Sequence, residues 1–275
     1  MIKEQQEVLD QLNRVLQIYR TSEGAIRPHF LLTGPSGSGK SHIAQHLADE
    51  HELDFMELNA AQLTKEGTSG NSLSKALSPL AQKGNQLTII FVDEFDKLFI
   101  SGNSNSHLAH ETTNGVQNEF LKLLESKSTS VYGDYGKYVD VAVDKVLFIF
   151  AGAFNGEENL NLDRLRDFGI KTEFLGRVGL IYNLKKLSLE SMYHTLLNSR
   201  LLTMYLKLFP GVERDIVVRD IMQVVERLHE QNTLGIRILN TLLNRYFINN
   251  GKLEDEEVQQ SSFQKTLSFE ANKHE

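Results

Sequence analysis

Phe30-Leu31-Leu32-Thr33-Gly34-Pro35-Ser36-Gly37-Ser38-Gly39-Lys40-Ser41 passes from a short apolar run, through a glycine-rich turn, into a helical pattern that continues to His51. The turn matches G-x-x-x-x-G-K-[ST], and a strand before it and a helix after it are the context in which that pattern cradles phosphates. Gly34, Pro35, Ser36, Gly37, Ser38 and Gly39 form a loop whose backbone N–H groups can curl around an oxyanion. The N-terminus of the following helix adds partial positive charge. Lys40 supplies a point charge for the β- and γ-phosphates, and the Ser41 hydroxyl is an oxygen ligand suited to Mg2+. These residues imply a site for a nucleoside triphosphate with its magnesium.

A second apolar run, Leu87-Thr88-Ile89-Ile90-Phe91-Val92, ends in Asp93-Glu94. Ligands of open α/β folds bind at the carboxyl edge of the sheet, and this ending places both acids there, beside the phosphate loop. Asp93 is suited to hold Mg2+ through its water shell. Glu94, one residue on, is suited to orient and deprotonate a water that attacks the γ-phosphate.

The rest of the first half repeats the alternation of apolar run and helix. Val8, Leu9, Leu12, Val15, Leu16 and Tyr19 lie at helical spacing, giving an opening helix that stops near Thr21-Ser22-Glu23-Gly24. Further strands are read at Phe55-Met56-Glu57-Leu58 and Val146-Leu147-Phe148-Ile149-Phe150, and helices at 41–51, 73–82 and 116–126. Nearly unbroken apolar strands alternating with helices predict an α/β fold, a parallel sheet flanked by helices on both faces. From Ser188 the strand signal stops, and 192–208, 220–231 and 236–249 read as three helices with apolar stripes. The expected organisation is an α/β nucleotide-binding domain at 1–187, a small helical lid at 188–250 and a polar, acidic tail at 251–275, read as flexible.

Composition narrows the function. The 275 residues are 40% hydrophobic and 24% charged, enough apolar side chain for a folded core. The absence of Cys excludes a disulfide framework, a thiolate metal site and a cysteine nucleophile, and fits a cytoplasmic setting. A net charge of -7 argues against a partner held through a broad basic field, nucleic acid above all. The first residues are charged, and no apolar run approaches the roughly 20 residues of a membrane span.

Beyond single sites, four segments in order resemble the AAA+ ATPases, and within them the unfoldase subunits of the Clp X/HslU type. Val92-Asp93-Glu94-Phe95-Asp96-Lys97-Leu98 is similar to V-D-E-I-D-K-I. Gly115-Val116-Gln117 with Leu121-Lys122-Leu123-Leu124-Glu125 is similar to G-V-Q-x-x-L-L-K-L-I-E. Leu147-Phe148-Ile149-Phe150-Ala151-Gly152-Ala153-Phe154 resembles L-F-I-x-x-G-A-F, and Phe168-Gly169-Ile170-Lys171-Thr172-Glu173-Phe174-Leu175-Gly176-Arg177 resembles F-G-L-I-P-E-F-I-G-R. The resemblance, which covers about residues 2–250, implies binding and hydrolysis of Mg-ATP by a homo-oligomeric ring, with six subunits expected, acting on a protein partner. It also implies roles for two arginines. Arg177 becomes an arginine finger reaching a neighbouring subunit's γ-phosphate. Arg237, in Gly235-Ile236-Arg237, becomes a sensor-2 residue contacting the nucleotide of its own subunit.

Several features depart from that family. Where its axial loop carries G-Y-V-G, this chain has Gly67-Thr68-Ser69-Gly70, so the aromatic grip on a polypeptide is missing. Only a short polar linker separates Phe154 from Leu165, where Clp X-type subunits carry an insertion with an I-G-F tripeptide that docks their peptidase. The chain starts at the opening helix, so no zinc-binding N-terminal domain is expected. At the end of the strand, Phe150-Ala151-Gly152 offers no polar sensor-1 side chain, which leaves Asn155 as the candidate. The expected function is a remodelling or regulatory ATPase working without that peptidase. Two alternatives stand beside it: an ATP-dependent assembly scaffold with little hydrolysis, and a DNA-associated loader, which the acidic balance opposes.

Tyr132, Tyr135 and Tyr138 have two readings, a loop that grips a partner or a hairpin whose rings pack on the sheet. His107, His110 and Glu111 follow neither zinc-peptidase order, and His42 with His46 is read as a solvated or packed pair rather than a metal site.

Overall fold

The computed structural model of the protein describes residues 3–64, 70–99, 107–133 and 136–253, without the side chains of residues 107–114 and of residue 231. Five strands form one parallel sheet: β1 (Phe30–Thr33), β2 (Asp54–Asn59), β3 (Thr88–Asp93), β4 (Val146–Gly152) and β5 (Leu180–Asn183). Their order is β2-β3-β4-β1-β5. Helices flank the sheet, which makes this a P-loop α/β fold.

The continuous apolar character of β3 and β4 has a simple cause. Successive side chains point to opposite faces, and both faces are covered. Ile90, Val92, Phe148 and Phe150 enter one core with Phe120 and Leu123 of the helix His107–Glu125 and Phe174 of the helix Thr172–Arg177. Ile89, Phe91, Leu147 and Ile149 enter the other, with Leu12, Leu16 and Tyr19 of Gln6–Thr21 and Ile43 and Leu47 of Lys40–Glu50. Tyr19 is buried, and its hydroxyl donates to the carbonyl oxygens of Lys145 (2.5 Å) and Thr88 (3.2 Å), pinning the opening helix to the entry of β3 and β4. Burial raises its phenol well above the ordinary range.

Three elements differ from the sequence reading. β5 was not anticipated, because an edge strand of four partly exposed residues carries no buried run. The stretch 73–82 is two short helices, Leu73–Ala76 and Leu80–Lys83, parted at Ser78-Pro79, where proline disfavours helix in the residue before it. The stretch 192–208 is likewise two helices, Leu189–Leu197 and Arg200–Leu208; Ser199 caps the second by accepting from the Leu202 N–H.

The chain divides into two compact units, Met1–Leu187 and Ser188–Glu275. The first holds the sheet. The second contains Leu189–Leu197, Arg200–Leu208, Arg214–Leu228 and Arg237–Ile248, which bury Val217, Ile221, Leu239 and Leu242 among others and stack Tyr205 on Phe247 at 4.4 Å. Residues 254–275, which include most of the predicted tail, lie outside the described residues. Among the described residues no helix is long and apolar enough to cross a membrane.

Candidate nucleotide site

Two glycines shape the loop between β1 and its helix. Gly34 has φ 143°, and a Cβ there would fall 2.6 Å from the Leu184 carbonyl oxygen. Gly39, at φ 95°, is the left-handed residue from which Lys40–Glu50 starts. Lys40 Nζ donates to the carbonyl oxygens of Gly34 (2.7 Å) and Pro35 (3.0 Å), so its ammonium lies against its own loop. Ser38 is 2% exposed and its Oγ makes no hydrogen bond. An orphaned buried hydroxyl is costly, and here it lies within the loop whose N–H groups suit an oxyanion.

The carboxylates converge on the same corner. Ser41 Oγ donates to Asp93 Oδ2 at 3.5 Å, bringing the start of the helix to the end of β3. Asp93 Oδ1 accepts from the Glu94 N–H at 2.8 Å. This contact accompanies a left-handed turn at Glu94 (φ 54°), which leaves the Glu94 carboxylate exposed. Its Oε2 accepts from Asn59 Nδ2 at 3.1 Å. The β2–β3 register aligns Asn59 with Asp93, and Asn59 Oδ1 accepts from the Ala61 N–H. Partial burial, and secondarily the Asp93 charge, raises the Glu57 carboxyl above its usual range.

A serine hydroxyl and a carboxylate are hard oxygen donors, the set that Mg2+ takes. No cluster of three or more His, Cys, Asp or Glu side chains able to hold a metal occurs among the described residues. Magnesium keeps several waters and binds substrate phosphates beside one or two protein oxygens. The donor set therefore fits magnesium.

The turn after β4 is fixed by Asp96, a buried carboxylate whose Oδ2 accepts from the Phe154 N–H at 3.1 Å. A Cβ at Gly152 would lie 2.8 Å from Asp96 Oδ1. Asn155, next in that turn, is exposed and left-handed (φ 58°). A second asparagine, Asn183 at the end of β5, ties three segments together. Its Oδ1 accepts from Thr33 Oγ1 (2.7 Å) and from the Leu160 N–H (2.8 Å), and its Nδ2 donates to the Leu160 oxygen.

Arg177 ends the helix Thr172–Arg177, and its exposed guanidinium pairs with Glu125 rather than with the phosphate loop. Arg237 is an exposed residue that opens Arg237–Ile248 in the second unit. Lys40, Ser41, Asp93 and Glu94 are thus brought together, with Asn59 as a member that sequence reading missed. Only the strand register reveals it, since a polar residue ending β2 carries no motif of its own.

The strands Ser128–Tyr132 and Tyr138–Ala142 pair as an antiparallel hairpin. The rings of Tyr132 and Tyr138 meet edge to face at 5.8 Å, both exposed, and Lys75 Nζ lies 5.7 Å from the Tyr132 ring centroid. These two rings pack on each other. His42 and His46 are exposed with stacked rings at 6.3 Å. Tyr135, the residues 65–69 of the predicted axial loop and the side chains of His107, His110 and Glu111 lie outside the described residues.

The sequence model of the ATPase family associated with various cellular activities (AAA) matches residues 30–171, from β1 to the entry of the helix bearing Arg177. Three relatives carry related names. The ATP-dependent Clp protease ATP-binding subunit ClpX of Treponema denticola is 30% identical over 179 residues, 61% of this chain and 42% of its own. The subunit ClpX 2 of Wolinella succinogenes is 29% identical over 257 residues, 79% of this chain and 64% of its own. ClpX of Porphyromonas gingivalis is 26% identical over 208 residues, 60% and 51% of the two chains. The chain thus spans about half the length of the curated relatives it matches. With the family match extending over half of its residues and the phosphate loop and carboxylates set on the sheet edge within that match, the chain belongs to the AAA family of ATPases.

Proposed function

We propose that this chain is an AAA+ ATPase that binds and hydrolyses Mg-ATP at the subunit interfaces of a ring-shaped homo-oligomer of six, in the cytoplasm, and uses the cycle to remodel or regulate a protein partner without a Clp-type peptidase. The observation that carries this reading is the meeting of Ser41 and Asp93 at 3.5 Å with the Glu94 carboxylate exposed beside them.

In this reading the loop from Gly34 to Gly39 holds the phosphates through backbone N–H groups, and Lys40 leaves its loop carbonyls to neutralise the β- and γ-oxygens. Ser41 and Asp93 hold the magnesium, which when bound offsets charge developing on the phosphate oxygens. Glu94 accepts the proton of the attacking water, and Asn59 sets the direction of its carboxylate. Arg177 reaches across to the neighbouring protomer's γ-phosphate, while Arg237 links the nucleotide to the helical lid at 188–250. The names of the ClpX relatives, ATP-binding subunits of an ATP-dependent protease, support ATP as the nucleotide and a protein as the target.

Steady-state phosphate release measured against protein concentration, alongside oligomer size, tests the proposal. Turnover that rises as protomers assemble, and is lost in Lys40→Ala and Glu94→Gln, is expected. A stable oligomer with negligible turnover would instead favour an ATP-dependent scaffold, a reading that draws on the lack of a polar side chain at Ala151-Gly152, where β4 ends.

A further inference from the structure

We infer that Gln117 is a positioning residue for Arg177: a buried amide that fixes where the short helix carrying the arginine begins. This rests on the reading of Arg177 as the guanidinium that completes a neighbouring protomer's site.

Thr172–Arg177 is only six residues long, and its N-cap, Lys171, contributes no side-chain cap. A helix of that length does not hold itself, since nucleation is costly and its first N–H groups are unsatisfied. Gln117, 1% exposed, makes up the deficit from the helix His107–Glu125. Its Oε1 accepts from the Lys171 N–H at 3.1 Å, and its Nε2 donates to the Gly169 oxygen at 3.2 Å. The two contacts bracket a turn in which Gly169 is left-handed at φ 100°.

The middle of the short helix is fixed by packing. Phe174 packs at 5.2 Å on Phe95, the residue after Glu94, and at 5.0 Å on Phe150 of β4. Arg177 then pairs with Glu125. Gln117 and Glu125 are eight residues apart on one helix, a rise of about 12 Å, and the path from Lys171 to Arg177 rises about 9 Å. The helix His107–Glu125 therefore contacts both ends of the arginine-bearing helix, firmly through the buried Gln117 and weakly through the exposed Glu125.

A leucine or methionine would fill the same volume at Gln117. The amide adds register, because it demands one particular N–H and one particular carbonyl, and burying it without both would cost free energy. Its role is therefore to set the distance and direction from which Arg177 reaches out, and a misplacement of about 1 Å can cost up to about a hundredfold in rate.

Gln117→Met keeps the volume and removes both hydrogen bonds. In the purified, assembled protein, phosphate release from Mg-ATP is expected to fall about tenfold. The affinity for a fluorescent ADP should stay within about twofold, because the cradle is untouched. The double variant with Arg177→Ala should release phosphate no more slowly than Arg177→Ala alone, since Gln117 acts only through that arginine. Gln117→Glu, which keeps the acceptor and regains the donor only when protonated, should retain more turnover than Gln117→Met; if Gln117→Met does not fold, Gln117→Glu carries the test alone, with turnover expected below wild type at unchanged ADP affinity and wild-type turnover overturning the inference. Unchanged turnover in Gln117→Met beside an inert Arg177→Ala would overturn the inference alone. So would a loss of ADP affinity matching the loss of turnover, or losses that multiply in the double variant. Wild-type turnover in Arg177→Ala would overturn the reading of Arg177 itself, and the inference with it.

Discussion

Arg177 donates from Nε to Glu125 Oε1 at 2.8 Å, and its Nη2 lies 2.5 Å from the same oxygen as an ion pair. Both side chains are about half exposed, at 53% and 47%, so the pair sits in screened water and contributes no more than about 1 kcal/mol to folding. A guanidinium held this weakly is available to a phosphate presented by another protomer, but it must first leave its own carboxylate.

Glu125→Ala removes that competitor. Turnover should rise by about twofold to fivefold, the equivalent of roughly 1 kcal/mol, while the unfolding midpoint in urea stays nearly unchanged. Phosphate release at saturating ATP checks this; a fall in turnover would show that Glu125 aims the arginine instead of restraining it.

Gly34→Ala places a Cβ 2.6 Å from the Leu184 oxygen at a left-handed backbone position. The loop must shift or the strand exit must move, at a cost of about 1–3 kcal/mol. Both unfolding stability and nucleotide affinity should drop, which denaturant titration and fluorescent-ADP binding would detect together.

Asn59 donates to Glu94 at 3.1 Å, a contact that holds the carboxylate in one orientation. Asn59→Ala should therefore lower phosphate release by about twofold to fivefold with the ADP affinity unaltered. Unchanged or higher release would mean that the amide does not align Glu94 for attack.

His29 is buried, accepts from the Phe148 N–H at Nδ1 (3.0 Å), and has its pKa lowered from 6.5 to about 3, chiefly by burial and secondarily by Arg27. The folded state therefore holds a neutral imidazole that the unfolded chain protonates below pH 6.5. Its contribution is complete above that pH and is lost as pH falls from 6.5 toward 3, by about 1.4 kcal/mol per unit. Between pH 7.5 and 5 the unfolding free energy should fall by about 2 kcal/mol from this group, and less in His29→Asn. Urea unfolding at the two pH values measures the difference.

The sheet was largely legible because β3 and β4 are buried on both faces and so read as unbroken apolar runs. Lys40, Ser41, Asp93 and Glu94 were legible because each is tied to a strand end by adjacency in sequence. β5 was not, since its burial is shared with solvent and only its pairing to β1 makes it a strand. Asn59, Gln117 and Glu125 acquire meaning from partners 35, 54 and 52 positions away, and no local pattern encodes such distances. The break at Ser199 was missed because an apolar stripe runs through it, while the cap that starts the second helix is a single hydroxyl.

The sharpest test mixes two inactive variants. Arg177→Ala retains Glu94, and Glu94→Gln retains Arg177. If each site is shared between neighbours, equal parts of the two, co-assembled, contain some interfaces with both residues intact. Phosphate release by the mixture should then climb clearly above the sum of the two variants alone. A mixture that stays at that sum, or an Arg177→Ala protein that turns over ATP at the wild-type rate by itself, would contradict a shared site.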